Sequence, residues 1–141
     1  MNQKKDEGLI GNEKIEESIE RLSEAPSDET LALVLTVLRR RMQEKGQFVV
    51  AIDATPAGLS LQVKEIKGKG KGKWFVAFTS FEEQMAGKEK VMSTFMADIG
   101  QLLDMVLGDE TIAGIALNPW HHPLLLDRAL IQVIKGNMAD A

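Results

Sequence analysis

Five apolar residues in a row, Phe48-Val49-Val50-Ala51-Ile52, follow directly on a long stretch of helical periodicity. That change of period confines the chain to folds in which helices pack against a sheet. Upstream, Ile15, Ile19 and Leu22 recur four and three apart between Asn12 and Glu24, with glutamates on the opposite face. This pattern predicts a helix that stops at Ala25-Pro26, because proline disfavours helical backbone in the residue before it. A second helix is predicted to start at Ser27 as N-cap. Asp28 and Glu29 lie in its first turn, where carboxylates oppose the positive dipole end. Leu31, Val34, Leu35, Leu38 and Met42 form its apolar stripe, Arg39, Arg40 and Arg41 occupy its last turns, and Gly46 follows it.

Downstream of the apolar run, Asp53-Ala54-Thr55-Pro56-Ala57-Gly58 reads as a turn. Leu59, Leu61, Val63 and Ile66 alternate with Ser60, Gln62 and Lys64, the signature of a strand with one wet face. Trp74-Phe75-Val76-Ala77-Phe78 gives a third strand. Short connections cannot join parallel neighbours, so the three strands are expected to form an antiparallel meander.

The second half changes character. Ser80 opens a short helix, with Glu83 expected to complete a capping box. Val91-Met92 fits a very short strand. Ser93 or Thr94 is expected to cap a helix carrying Phe95, Met96, Ile99, Leu102, Leu103 and Val106, which ends at Gly108-Asp109-Glu110. Ile112 to Leu117 is a buried strand broken at Asn118-Pro119. Leu124-Leu125-Leu126 adds a brief strand, and Asp127 caps a last helix containing Leu130, Val133 and Ile134. The expected architecture is α/β (α+β), a mixed β-sheet with an antiparallel three-stranded meander, packed helices and two helices at the N-terminus. A flexible N-terminal segment, 1–11, precedes a single domain, 12–141.

At 141 residues the chain can bury a core without covalent staples. It has no cysteine, which excludes a disulfide scaffold, a thiolate metal site and a cysteine nucleophile. The polar start from Met1 to Gly11 resembles neither a signal nor a transit peptide, and no apolar run reaches membrane-spanning length. The cytoplasm is the expected compartment. A net charge of -4 argues against coating nucleic acid or an anionic membrane.

The residues that could carry chemistry fall into a few short motifs. Lys64 to Lys73 alternates lysine with Gly68, Gly70 and Gly72, yet it lies between strands and lacks the Gly-Lys-Ser/Thr of a phosphate loop. A solvated hairpin connection explains it better than nucleic-acid binding, since no aromatics interleave to stack bases. His121 and His122 are the two histidines. Neighbours on an extended chain point opposite ways, so they make a poor chelate, and no metal or cofactor is expected. No Gly-x-Ser-x-Gly elbow occurs. Asp53 is expected to bond its own turn, Asp98 and Asp104 to face water, and the three arginines to point around their helix.

Two places remain. Thr79-Ser80, at a strand end entering a helix, is a natural anion site. Asn118-Pro119-Trp120-His121-His122-Pro123 holds an aromatic and two imidazoles between prolines, just past a buried strand. A structural corner with Trp120 folded over the core explains that segment at least as well, and a cis Pro119 stays open. The candidate binding residues are Thr79, Ser80, Asn118, Pro119, Trp120 and His121; no catalytic residue is identified.

The order of segments from Glu29 to Gly136 resembles the N-terminal domain of the SseB family. The resemblance is carried by Trp74-Phe75-Val76-Ala77-Phe78-Thr79-Ser80, Val91-Met92, Ala113-Gly114-Ile115-Ala116-Leu117-Asn118-Pro119-Trp120 and Pro123-Leu124-Leu125-Leu126. It implies a bacterial, cytosolic α/β domain with no established enzymatic activity or cofactor, and transfers no catalytic residue. Longer members carry a further C-terminal domain. The leading expectation is a non-enzymatic protein-interaction or regulatory module, with a protein partner or self-association, the first helix offering a dimer contact. The alternative is a small-metabolite sensor or enzyme using Thr79, Ser80, Asn118 and His121 around an anionic molecule. Nucleic acid, through Lys64 to Lys73, is the weakest of the three.

Overall fold

The computed structural model describes residues 7–56, 58–66, 72–86 and 93–136. Helix α1 (Glu13–Glu24) and helix α2 (Asp28–Gln43) come first, followed by β1 (Gln47–Thr55), β2 (Gly58–Leu61), β3 (Val63–Glu65) and β4 (Lys73–Phe78). Then follow α3 (Phe81–Met85), β5 (Ser93–Asp98), α4 (Ile99–Leu107), β6 (Ile112–Leu117), β7 (Leu124–Asp127) and α5 (Arg128–Lys135). Among the described residues the result is an α/β fold with a mixed seven-stranded sheet and two N-terminal helices.

The starts of α2, α3, α4 and α5 follow from side-chain oxygens that satisfy otherwise unpaired backbone donors. Ser27 accepts from the Thr30 N–H, and the Thr30 hydroxyl accepts from the Ser27 N–H, closing a reciprocal box. Asp127 caps α5 by accepting from the Leu130 N–H. At α3 only half of the expected box forms. Ser80 accepts from the Glu83 N–H at 3.1 Å, but the Glu83 carboxylate turns to His121 instead.

The sheet runs β2-β1-β4-β6-β7, with β5 on the other side of β1 and β3 on β4. The expected middle strand is one residue short of continuous. β2 pairs antiparallel with β1, β3 pairs antiparallel with β4, and Gln62 between them bonds both sides. Its N–H donates to Ala51 O at 2.8 Å, and its carbonyl accepts from the Val76 N–H. β1 and β4 pair directly at Val49↔Phe78 and Val50↔Ala77, then part, and the β2–β3 chain lines the fork. The chain thus makes two hairpins nested in a fork, and β1 and β4 run antiparallel to one another, whereas the outer strands of a simple meander run parallel.

β4 and β6 are parallel, and β6 pairs antiparallel with β7. The turn read at Asp53–Gly58 is shorter than expected: β1 continues to Thr55, and Asp53 stands opposite Ser60 within the ladder. Ser93 to Asp98 is a strand, not the start of a helix. All six residues pair with β1 from Gln47 to Ile52, and the helix waits for Asp98, whose carboxylate caps it through the Gln101 N–H. Tertiary pairing overrides the local helical pattern here. Val91-Met92, the centre of the lysine-glycine stretch and residues 1–6 lie outside the described residues.

One face of the sheet carries the main core. Phe48, Val50, Ile52, Phe75, Ala77, Ile115 and Leu117 meet Ile15 and Ile19 of α1, Val34 and Leu38 of α2, and buried residues of α4 and α5. The apolar face of α1 is covered from within the chain, which removes the motive for a dimer contact there. On the other face, Val49, Ala51, Val76 and Phe78 pack with Leu9, Phe81 and Trp120. Residues 7–11, expected in a flexible segment, are anchored: Leu9 joins this smaller cluster, and the Gly8 carbonyl accepts from Arg41.

Candidate functional site

β4 ends at Phe78 and β6 at Leu117, side by side in parallel, so Thr79 and Asn118 leave the sheet together. Both are buried, at 0% and 3% exposure. The Thr79 N–H donates to Asn118 Oδ1 at 3.0 Å, and Asn118 Nδ2 donates to Thr79 Oγ1 at 3.1 Å. The Thr79 hydroxyl donates in turn to Glu16 of α1 through a short bond. Asn12 then ties this corner to the start of the sheet. Its Nδ2 donates to Thr79 O at 3.0 Å and to Gln47 O at 2.8 Å, while its Oδ1 accepts from Arg41 Nε at 2.9 Å.

Arg41 is itself buried and also donates through Nη1 to Glu44 and through Nη2 to Gly8 O. The result is a continuous polar relay from α2 through α1 to the ends of β4 and β6. A buried polar network is stable only when its members are satisfied, and no buried side-chain nitrogen or oxygen of Asn12, Arg41, Thr79 or Asn118 lacks a hydrogen-bond partner. Sequence reasoning singled out Thr79 and Asn118, which the fold brings together, but missed Asn12, Glu16 and Arg41. The only signal was Asn12 at the helix start, and its side chain makes no cap there.

The three arginines diverge. Arg39 donates to the Val133 and Ile134 carbonyls at the end of α5, Arg41 enters the relay, and Arg40 stays exposed. Another residue passed over in the sequence, Arg128, donates to the carbonyls of Val106, Leu107, Asp109 and Ile112, satisfying the end of α4.

The corner after Asn118 is a tight turn on trans peptide bonds, with Asn118 at φ 51° and His122 at φ 46°. Trp120 folds back: its ring centroid lies 5.0 Å from that of Phe78, tilted by 45°. His121 and His122 do not point opposite ways as expected of an extended chain; their rings stand 4.2 Å apart. His121 Nδ1 lies 3.3 Å from Glu83 Oε2. Among the described residues, no three His, Asp or Glu side chains gather to hold a metal ion.

Two clefts adjoin at this corner. One, of about 570 Å³, lies between α1 and α3 and is lined by Leu9, Ile10, Glu13, Glu16, Thr79, Ser80, Phe81, Glu82, Glu83 and Met85 among others. The second, of about 380 Å³, is lined by Glu13, Glu16, Glu17, Ile19, Glu20, Glu83, Asn118, His121 and His122. Together they present six glutamates, with Ile10 53% and Met85 62% exposed at the rim. Of the candidate residues, Thr79, Ser80, Asn118 and His121 line these clefts; Pro119 and Trp120 line neither.

Carboxylates facing a shared low-dielectric wall focus a negative potential into the space between them. Such a cleft attracts cations and repels phosphates and carboxylates. The Ser80 hydroxyl is engaged as a helix cap, and the Thr79 and Asn118 side chains bond each other. Comparison of the chain with protein-family models, with curated proteins and with solved structures finds no match.

Proposed function

We propose that this chain is a non-enzymatic, SseB-like interaction module of the bacterial cytoplasm. In this reading its acidic double cleft takes a basic, partly apolar segment of a partner protein. One observation carries it. The Thr79, Ser80 and Asn118 side chains that an anion-binding enzyme would aim at its substrate are engaged in internal hydrogen bonds, while the clefts offer solvent four exposed glutamates, Glu13, Glu17, Glu20 and Glu82, with the exposed Ile10 and Met85. The alternative, a sensor or enzyme for an anionic metabolite, needs the opposite sign of charge at the same place. Trp120 serves the fold of the corner in this reading, and His121 the contact.

Fluorescence titration with an amphipathic lysine–leucine peptide, against its glutamate–leucine counterpart, tests the proposal. The basic peptide is expected to bind and the acidic one not. Glu17→Lys with Glu20→Lys, both on the exposed face of α1, should weaken binding about tenfold or more while leaving stability within about 0.5 kcal/mol. Equal binding of the two peptides would sink the reading. So would a rise in melting midpoint produced by anionic metabolites, since a specific ligand stabilises by mass action.

A further inference from the structure

Strand β5 stands out at the far side of the sheet from the acidic clefts' β4–β6 corner. Its six residues, Ser93 to Asp98, pair with β1 in unbroken register, and among the described residues β5 pairs with nothing else. Exposed backbone edges of this kind template association with other chains, and natural proteins blunt them with lysine, proline, bulges or brevity. β7, which also pairs on one side only, is four residues long and ends in the capping Asp127. β5 has none of these devices: no lysine, no proline and no bulge. It also exposes 46% of Phe95, beside an apolar groove of about 780 Å³ that Phe95 and the half-exposed Met105 help to line.

We propose that β5 is an isologous dimer interface, pairing antiparallel with β5 of a second copy of this chain across a two-fold axis at Phe95. The strand's own sequence selects this occupant. With Phe95 opposite Phe95 of the second copy, Ser93 faces Ala97 and Thr94 faces Met96, so no like charges meet inside the paired stretch. Asp98, the one charged residue, falls outside those pairs, and its carboxylate already accepts from the Gln101 N–H. Directly opposed residues of antiparallel strands share a face, so the two half-exposed phenyl rings lie side by side, and aromatic cross-strand pairs are among the favourable ones. The six-residue strand spans roughly 20 Å, long enough for a full ladder of backbone bonds. The two sheets become one across the axis, with the helical layers of both copies on the same side. This interface uses no residue of the acidic clefts and stands or falls independently of them.

Sedimentation equilibrium of the full chain over a wide dilution series, with Phe95→Lys, Phe95→Glu and their mixture, provides the test. The unaltered chain should approach twice the protomer mass at high concentration. Each single variant should be at least about tenfold weaker in self-association, because like charges then face each other across the axis. The equimolar mixture should recover the dimer, since the introduced ammonium and carboxylate meet only in this register. A chain that stays monomeric at every concentration overturns the proposal. A dimer that survives both substitutions, or a mixture that fails to recover it, overturns the interface or its register. Circular dichroism of each variant, expected to match the unaltered chain, separates lost association from lost folding.

Discussion

Asn12 bridges three elements with one carboxamide, so replacing it with alanine should cost far more than its place at a helix start implies. The substitution deletes two neutral bonds, to Thr79 O and Gln47 O, and one charge-assisted bond from Arg41 Nε. Neutral buried bonds contribute about 1 kcal/mol each and bonds to a charged group about 1.5–3 kcal/mol, giving a gross loss of about 4 kcal/mol. A water entering the vacated space would return part of this, so a net loss of about 3 kcal/mol is expected. With a urea slope of about 2 kcal/mol/M the midpoint should fall by roughly 1.5 M at unchanged slope.

The same relay predicts coupling. Arg41→Met removes the donor to Asn12 Oδ1 and to Gly8 O, and the double variant should be less damaged than the sum of the singles by about 1.5 kcal/mol or more. Urea unfolding followed by circular dichroism on the four proteins of the cycle measures both quantities. Single losses below about 1 kcal/mol, or additivity within about 0.5 kcal/mol, would refute the idea that this network holds the corner together.

Gly114→Ala should be among the most damaging small substitutions, losing about 3 kcal/mol or more, because the new methyl would meet Leu126 O at 2.1 Å and the Trp74 ring at 2.8 Å. A melting midpoint unchanged from that of the parent would refute that packing. Asp109 should titrate below the ordinary aspartate value of 3.8, held down first by the Thr111 hydroxyl, then by the Thr111 N–H, with a smaller pull from Arg128. A lowered folded-state pKa adds stability that is present above 3.8 and lost as pH falls through the lowered value. NMR titration should show Asp109 moving back toward 3.8 in Thr111→Val, and no movement would contradict the assignment.

The elements legible in the sequence are those specified by short-range chemistry. Ser27, Ser80 and Asp127 mark helix starts because a side-chain oxygen three residues from a backbone donor satisfies it locally. The runs at Phe48, Trp74 and Ile112 read as strands because burial on both faces leaves no polar alternation. Those signals fix an α/β domain, and they put Thr79 and Asn118 at strand ends.

Other features depended on where distant segments meet. Ser93 to Asp98 carries a helical pattern, yet β1 presents an unoccupied row of backbone groups, and pairing with it outweighs local preference. Gln62 looks like one more wet position in an alternating strand. It becomes a reversal point only because β1 and β4 pair at one end and part at the other. Arg41 reads as one of three helix-end cations until packing removes it from water, and burial then requires the partners that Asn12, Glu44 and Gly8 supply.

The candidate site divides the same way. Its residues were named from the chain, but whether their polar atoms face a ligand or each other is a question of tertiary contact. Local chemistry along the chain sets the elements legible from caps and strand periods, their order and the strand ends that form the corner. Contacts between distant segments make Thr79 and Asn118 satisfy one another, turn Trp120 back onto Phe78, and gather six glutamates from separate segments around one pair of clefts. Helix caps and strand periods act within a few residues, whereas burial and charge fields are summed over whatever the fold brings close.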